Sequence, residues 1–160
     1  MKLVIFDIDG TLTDTKMVED KCFFRAFEQT FGIDISGQAW ENIQNVTDWG
    51  IIEELIQTHC QRLPTVIEYE QMQQCFFQCL REELAADATQ FREVPGALAF
   101  FEALQADKNF IVGIATGAWS GSARIKLAAI GIDPTGLPFS NSDFFKSREQ
   151  ITKHAIAQAT

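Results

Sequence analysis

Two short, continuously apolar segments constrain the fold more than any other feature of this sequence. Residues 3–6 (LVIF) lie near the start of the chain, and residues 110–115 (FIVGIA) lie two thirds of the way along it. Runs of this length without polar alternation are typical of parallel strands that helices cover on both faces. Each run ends in acidic or small residues. Ligands bind beyond the carboxyl ends of such strands, so we expect the functional site at these two junctions.

Helical spacing and end signals predict helices over most of the remaining chain. The predicted helices are 15–31, 48–61, 64–86, 95–106, 120–130 and 147 to the chain end. Gly32 and Gly131 are the expected stops of the first and fifth helices, and Ser147 is the expected N-cap of the last. A weak strand is expected before that last helix.

The long helical stretch after the first strand determines the predicted architecture. A crossover between parallel strands needs only about a dozen residues with its helix, so residues 15–89 are too many for one crossover. We therefore predict the α/β class, with a Rossmann-like parallel sheet core formed by residues 1–14 and 90–160. Residues 15–89 are predicted to form an inserted all-helical cap subdomain.

Composition and charge exclude several classes of protein. Among the 160 residues, 46% are hydrophobic and 22% are charged, which excludes a disordered or low-complexity chain. The net charge of −9 and the lack of a basic stretch argue against nucleic acid or an anionic membrane as partner. No apolar run approaches the ~18 residues of a membrane span, and an acid follows the first strand too soon for a secretory signal. We expect a soluble cytoplasmic protein.

The residues after the first strand carry the strongest chemical signal. Asp7, Asp9 and Asp14 place three carboxylates within eight residues, and Gly10 follows the second of them. Asp7 alone could simply end a strand, and Asp9-Gly10 could form an ordinary turn. Like charges held close together cost energy unless a cation or a reaction uses them, which favours a functional site.

This segment resembles the first signature of the haloacid dehalogenase-like superfamily, strand-Asp-x-Asp-Gly-Thr-Leu-x-Asp. Helices inserted directly after it resemble the subgroup with a small helical cap, which includes the phosphoglycolate phosphatases. Val94-Pro95-Gly96, Thr116-Gly117 after the second strand and a basic residue before the last helix follow in the order of that family. The likeness extends over essentially the whole chain.

The resemblance implies a role for each residue of the first signature. Asp7 would attack phosphorus to form an aspartyl phosphate, and Asp9 would protonate the leaving oxygen and then accept a proton from water. Gly10 would permit the sharp bend between strand and turn. The backbone N–H groups of Ile8 and Gly10 would bind phosphate oxygens. Asp14 is expected to hold the loop through backbone hydrogen bonds.

Further phosphate ligands are expected from two later segments. Thr116 would supply a hydroxyl and Gly117 an unobstructed N–H, although a Thr-Gly pair can also be a simple strand exit. The family uses a Lys or Arg before its next helix to neutralise phosphate charge, and both Lys146 and Arg148 are candidates here. The spacing to the helix favours Arg148, whereas residue type favours Lys146. Lys126 is predicted to lie on a generic helix surface.

The charge of the site and the resemblance both imply Mg²⁺. Asp7 and the backbone carbonyl of Asp9 are the predicted metal ligands, with phosphate and water. Relatives complete the metal site with a further acid after a fourth strand, and the sequence ends at Thr160 before any such strand. We therefore expect that the C-terminal core strands are absent from this chain, and that it binds metal and phosphate weakly and turns over poorly.

The predicted cap contains one segment that resembles a substrate-facing loop. Thr47, Asp48 and Trp49 match the cap loop of phosphoglycolate phosphatase-like members and are expected to contact the leaving group when the cap closes. The alternative is that Thr47 or Asp48 caps the helix that begins there.

The expected activity is hydrolysis of a phosphate monoester of a small metabolite by a monomer or homodimer. Asp9 favours this reaction, because relatives that cleave carbon–halogen or carbon–phosphorus bonds lack that acid. Two alternatives remain at this point. One is phosphomutase transfer within the same superfamily, and the other is a non-catalytic phospho-accepting or binding module.

Overall fold

A computed structural model describes the chain over residues 1–160 and shows an α/β fold. The strands are β1 (Lys2–Phe6), β2 (Thr13–Asp14), β3 (Arg92–Glu93), β4 (Phe110–Ala115) and β5 (Phe139–Ser140). The helices are α1 (Lys16–Phe31), α2 (Asp48–Cys60), α3 (Val66–Ala86), α4 (Ala97–Ala106), α5 (Ser120–Ala129) and α6 (Arg148–Gln158). Two short 3₁₀ turns lie at Trp40–Asn42 and Ala88–Gln90.

The central sheet is parallel and has the strand order β1-β4-β5. Lys2 pairs with Phe110 and Phe6 with Ile114, so the two apolar runs of the sequence lie side by side and end at the same edge. Ala115 pairs with Ser140 of the weak third strand. The expectation of a parallel sheet is therefore confirmed, and the residues that follow β1 and β4 lie beside each other.

A small antiparallel pair, β2 with β3, was not expected from the sequence. Thr13 pairs with Glu93 and Asp14 with Arg92, which ties the turn after β1 to the chain that re-enters the sheet region. Each strand has only two residues, too few to produce a recognisable alternation of side chains.

The helices begin and end close to the predicted positions because their end signals are local. Gly32 ends α1 with a left-handed φ of 70°, and its N–H donates to the Glu28 carbonyl. Ser147 caps α6 through a reciprocal pair of hydrogen bonds with Gln150. Thr65 caps α3, which therefore starts two residues later than its predicted start at Pro64.

Two hydrophobic clusters stabilise the molecule. One has 15 buried residues and joins α1, α2 and α3, and the other has 11 and lies around the sheet with α4 and α5. Trp119, in the loop after β4, packs into the first cluster. At Gly121 an added Cβ would lie only 2.4 Å from Phe77 Cε2, so α5 and α3 are in close contact. The division into core 1–14 and 90–160 and cap 15–89 stays a prediction.

None of the helices combines the length and apolar composition needed to cross a lipid bilayer.

Candidate active site

Asp7 lies at the carboxyl end of β1, where its carboxylate contacts two donors. The N–H of Ile8 donates to Oδ1 at 2.8 Å, and Nη1 of Arg148 donates to Oδ2 at 2.9 Å. The Asp7 side chain is 35% exposed. The Asp7 carboxylate is therefore held by the N–H of the next residue and by a cation that lies 141 positions away in the sequence. About one third of the Asp7 side chain remains open to solvent.

The turn after Asp7 is fixed by backbone hydrogen bonds. The Ile8 carbonyl accepts from the N–H groups of Thr11, Leu12 and Thr13, and the Gly10 N–H donates to the Thr13 carbonyl. Gly10 has a φ of 78°, a conformation that favours glycine. Gly10 thus provides the predicted bend. The N–H groups predicted to bind phosphate, those of Ile8 and Gly10, are engaged within the protein in this structure.

Asp9 forms an ion pair that the sequence analysis did not anticipate. Lys126 Nζ donates to Asp9 Oδ1 at 2.5 Å and to Glu19 Oε1 at 2.8 Å, and the Lys126 side chain is completely buried. Placing Lys126 on a generic helix surface was therefore wrong. The buried stripe of α5 consists of Ser122, Ala123, Lys126 and Leu127. The position of Lys126 within this apolar spacing was the sequence signal that its side chain faces the interior.

Burial and opposite charges act against each other in this cluster. Burial alone would lower the pKa of Lys126, but the carboxylates of Glu19 and Asp9 outweigh burial and raise it above its ordinary value. Burial also raises the pKa of Glu19, an effect that Lys126 only partly offsets. One ammonium group therefore faces two carboxylates.

The loop after β4 lies next to the loop after β1. Thr116 is buried, its N–H donates to the Ser140 carbonyl, and its hydroxyl accepts from the Ala118 N–H. Gly117 is buried as well, and its N–H donates to no protein group. A Cβ at Gly117 would lie 2.9 Å from Arg148 Cζ and from the Val46 carbonyl oxygen. Glycine is therefore required there for the close approach of Arg148.

The structure separates the two candidate basic residues. Arg148 contacts Asp7 and also donates from Nε to the Val46 carbonyl at 3.0 Å. Lys146 instead forms an ion pair with Glu53 on α2. Of the two, Arg148 is the cation that lies at the strand ends, whereas Lys146 faces the helices.

The three predicted cap residues have different environments. The Thr47 hydroxyl caps α2 by accepting from the Gly50 N–H, and it donates to the Lys146 carbonyl. Trp49 packs edge-on against Tyr69. Asp48 lies over the loop after β4, where its N–H donates to the Gly117 carbonyl and its Oδ2 accepts from the Trp119 N–H. The structure thus gives Thr47 the capping role that was the alternative.

Asp48 is the member of this trio that lines a cavity beside the site. The cavity has a volume of about 230 Å³ and lies between α1 and the chain from Trp40 to Ile51. Neither Thr47 nor Trp49 lines it. Burial raises the pKa of Asp48 to about 6, while Lys126 and the Trp119 N–H act in the opposite direction.

Asp14 is held differently from the expectation. Its carboxylate pairs with the Arg92 guanidinium at 2.8 Å across the β2-β3 pair, rather than binding backbone N–H groups. This contact is exposed and lies on the flank of the site.

The donor chemistry at Asp7 and Asp9 fits a hard divalent cation. The backbone carbonyl of Asp9 accepts no hydrogen bond from the protein, and the Asp7 carboxylate is partly open. Carboxylate oxygens are the ligands that Mg²⁺ prefers. No group of three or more acidic, histidine or cysteine side chains with metal-binding geometry occurs in the structure, so these two residues would be a partial set.

Comparison with known families gives a match over most of the chain. The model for haloacid dehalogenase-like hydrolases matches residues 4–136, a range that includes both strand-end loops and α1 to α5. A search of curated proteins found no match.

Several solved structures have a similar fold. A hydrolase from Pseudomonas syringae is 20% identical with a TM-score of 0.69, over 96% of this chain and 70% of its own. CbbY from Rhodobacter sphaeroides, solved in complex with phosphate, is 16% identical with a TM-score of 0.68, over 99% and 72%. A predicted phosphoglycolate phosphatase from Haemophilus somnus is 19% identical with a TM-score of 0.56, over 91% and 64%. At these identities the likeness establishes the fold.

Proposed function

Because the chain belongs to the haloacid dehalogenase-like hydrolases, we propose that it hydrolyses a phosphate monoester of a small organic molecule. The observation that carries this proposal is the contact of 2.9 Å between Arg148 Nη1 and Asp7 Oδ2. It brings a cation to a partly exposed carboxylate at the end of β1. A dianionic phosphoryl group at this place would meet a nucleophile and a charge that neutralises it.

The first step transfers the phosphoryl group to Asp7. A carboxylate oxygen of Asp7 attacks phosphorus, the ester P–O bond breaks, and Asp9, which enters this step as the carboxylic acid, gives its proton to the leaving alcohol oxygen. In the second step Asp9 takes a proton from water, and the resulting hydroxide attacks the aspartyl phosphate. Inorganic phosphate leaves, Asp7 is again a carboxylate, and Asp9 is again protonated.

Three groups would bind the transferring phosphoryl oxygens. Arg148 neutralises charge, the unpartnered N–H of Gly117 is a donor, and the Thr116 hydroxyl, whose oxygen already accepts from Ala118, can donate its proton. Donors fixed in advance stabilise the transition state without further reorganisation. Lys146 is engaged with Glu53 and has no part in this scheme.

Mg²⁺ would be held by the Asp7 carboxylate and the backbone carbonyl of Asp9, so the Asp9 carboxyl group stays available for proton transfer. When bound, the ion supplies Lewis-acid stabilisation of the charge that develops on the phosphoryl oxygens. The residues of the chain supply the nucleophile, the proton transfers and the orientation of the phosphate.

The proposal is tested by release of phosphate from 4-nitrophenyl phosphate with and without Mg²⁺, and by trapping the intermediate. We expect Mg²⁺-dependent release by the wild-type chain and a phosphate adduct on Asp7 in an acid-quenched digest. Asp7→Asn should abolish both, because an amide is not a nucleophile under these conditions.

Asp14→Asn is the matched control, since it makes the same chemical change seven positions along and removes only an exposed ion pair. It should retain release within about twofold, the scale of a surface pair. Release that survives Asp7→Asn would overturn the proposal.

A further inference from the structure

The Asp9 carboxylate is held in place by one side chain. Lys126 Nζ donates to Asp9 Oδ1 at 2.5 Å, and this is the hydrogen bond that the protein gives to that carboxylate. Asp7, in contrast, is held at both oxygens, by the Ile8 N–H and by Arg148. The Asp9 side chain is 31% exposed, so its contact with Lys126 is the polar interaction that selects one of its staggered rotamers.

A second carboxylate, that of Glu19, holds the ammonium group of Lys126. Nζ donates to Glu19 Oε1 at 2.8 Å, and the Glu19 side chain is only 16% exposed. Glu19 lies in the first turn of α1, Lys126 lies on α5, and Asp9 lies in the turn after β1. The ammonium group is therefore tied to two elements besides its own helix, which fixes its position relative to Asp9.

The complete burial of Lys126 indicates a role beyond packing. The loss of hydration offsets most of the attraction in a buried ion pair, so such a pair gives little net stability compared with apolar residues. Ala123 and Leu127, which share the buried stripe of α5, are apolar. The charge at position 126 therefore points to a role at the carboxylate that it contacts.

The contact with Lys126 also determines which oxygen of Asp9 carries a proton. An ammonium group has three donors and no acceptor, so the oxygen that it contacts has to accept. In the carboxylic acid form of Asp9 the proton therefore lies on Oδ2, the oxygen that Lys126 does not contact. In the carboxylate form, Oδ2 is again the oxygen that can accept a proton from water.

We propose that Lys126 and Glu19 are positioning residues, which hold Asp9 in the rotamer that presents Oδ2 for proton transfer. The proposal rests on the phosphatase function proposed above, in which Asp9 is first an acid and then a base. In the first step the Oδ2 proton passes to the leaving alcohol oxygen as the ester P–O bond breaks. In the second step Oδ2 takes a proton from the attacking water. Lys126 and Glu19 act through Asp9 in both steps.

The first test compares two substrates of similar shape whose leaving groups differ in their need for a proton. The leaving oxygen of 4-nitrophenyl phosphate departs readily as an anion, whereas that of phenyl phosphate depends more on protonation. The value of kcat/KM reports the steps up to release of the alcohol, so it isolates the proton that Asp9 gives. Lys126→Met should lower kcat/KM for phenyl phosphate about tenfold more than for 4-nitrophenyl phosphate, a part of the effect of general acid catalysis. Asp9→Asn is the reference for complete loss of the acid and should show a difference of the same sign.

Variants of Glu19 separate the hydrogen bond from the charge. Glu19→Ala removes the acceptor of Lys126 and should lower the ratio of kcat/KM for phenyl phosphate to that for 4-nitrophenyl phosphate by about fivefold, the scale of one hydrogen bond. Glu19→Gln keeps an oxygen that can accept from Nζ and should restore the ratio to within about twofold of wild type. Lys21→Met is the matched control, because Lys21 pairs with Glu83 between α1 and α3, and it should leave the ratio unchanged.

This ratio is independent of how much of a preparation is folded, since both substrates are measured on the same sample. Glu19→Ala therefore decides the outcome even if Lys126→Met folds poorly. An unchanged ratio in either variant would overturn the role of the residue concerned. If the ratio is unchanged while the wild type hydrolyses 4-nitrophenyl phosphate, the positioning proposal is wrong and the phosphatase proposal stands.

The second step provides a readout that damage to the fold would not imitate. Lys126→Met should slow the attack of water more than it slows transfer from 4-nitrophenyl phosphate. During turnover, a larger fraction of the enzyme should therefore be trapped as the phosphate adduct on Asp7 in an acid-quenched digest. A smaller fraction than in the wild type would contradict the role of Lys126 in the second step.

Crystal structures of the wild type and of Glu19→Ala cover the case in which neither ester is hydrolysed. In the variant the Asp9 carboxylate should leave its wild-type rotamer or occupy more than one, whereas Asp7, held by Arg148, should not move. This result would support the positioning of Asp9 even if the phosphatase proposal fails. An Asp9 side chain that keeps a single wild-type rotamer would overturn it.

Discussion

At the scale of single residues, Asp7 and Asp9 have different cations as partners. Arg148 faces Asp7, while the buried Lys126 faces Asp9 and Glu19. The Asp-x-Asp motif could be identified from the sequence because its residues are adjacent. The apolar spacing of α5 indicates that Lys126 faces inward, but its partners could not be assigned from the sequence, because Asp9 and Glu19 lie 117 and 107 positions away.

Lys126→Met should destabilise the fold, since it leaves Asp9 and the mostly buried Glu19 without a counter-charge. Loss of one partner from a buried pair costs about 3 kcal/mol or more in the free energy of unfolding, measured by denaturant titration. Lys153→Met is the matched control, because its pair with Glu149 is exposed, and it should change stability by less than about 0.5 kcal/mol. Equal effects of the two variants would show that the Lys126 cluster contributes nothing to stability.

Asp48 should make stability depend on pH. Burial raises its pKa from 3.8 to about 6, so the folded state holds the proton more tightly than the unfolded chain. The contribution of Asp48 to the free energy of unfolding is most favourable below pH 3.8, and it is lost as the pH rises through about 6. Between pH 4 and 7, the free energy of unfolding of Asp48→Asn should therefore rise by roughly 2 kcal/mol relative to that of the wild type, as measured by denaturant titration.

Asp34 is the control of opposite sign for this measurement. The backbone N–H and side chain of Ser36 lower the pKa of Asp34, so its stabilising contribution is lost as pH falls. The free energy of unfolding of Asp34→Asn should decrease relative to that of the wild type as the pH rises over the acidic range. Parallel curves for Asp48→Asn and the wild type would contradict the proposed burial effect.

At the scale of elements, the site depends on how closely the loop after β4 approaches its neighbours. At the start of α2, the N–H of Asp48 donates to the Gly117 carbonyl, and the Asp48 carboxylate accepts from the Trp119 N–H. Trp119 also packs into the cluster of α1, α2 and α3. Strand and helix ends were predictable from apolar runs and caps, whereas the two-residue strands β2 and β3 and these contacts between elements leave no periodic signal.

Gly117→Ala should reduce activity by displacing Arg148. The new Cβ would lie 2.9 Å from Arg148 Cζ and from the Val46 carbonyl oxygen, a distance that forces one of them to move. We expect a loss of about 1 to 3 kcal/mol in stability and a raised KM for 4-nitrophenyl phosphate. Gly37→Ala, where an added Cβ meets nothing within 4 Å, should leave both unchanged. A normal KM in Gly117→Ala would show that the position of Arg148 does not depend on this glycine.

At the scale of the whole molecule, charge opposes binding of a phosphate ester. The net charge of −9 repels an anion at long range, so binding must depend on local cations such as Arg148. This long-range repulsion follows from composition alone. The sequence did not predict that three acids, Glu19, Asp20 and Asp48, are among the residues that line the cavity beside the site.

Salt should therefore assist catalysis of an anionic substrate. Raising ionic strength from 0.01 to 0.1 M shortens the Debye length from about 30 to about 10 Å, which screens the distant acids more than the contact with Arg148. We expect kcat/KM for 4-nitrophenyl phosphate to rise over this range at constant Mg²⁺. A fall would mean that attraction by the local cations dominates the approach of substrate. Potassium chloride in place of sodium chloride is the control for a specific ion effect.

The sequence by itself determined the parallel strands, the limits of the helices and the Asp-x-Asp motif, because each depends on residues near one another in the chain. The tertiary structure alone decided which side chains complete the site. Lys126 lies 117 positions from Asp9 and Arg148 lies 141 from Asp7, and Asp48 meets Trp119 across 71. Contacts over such separations form only when the hydrophobic clusters pack, since helix periodicity indicates which face is buried but not which partner that face will meet.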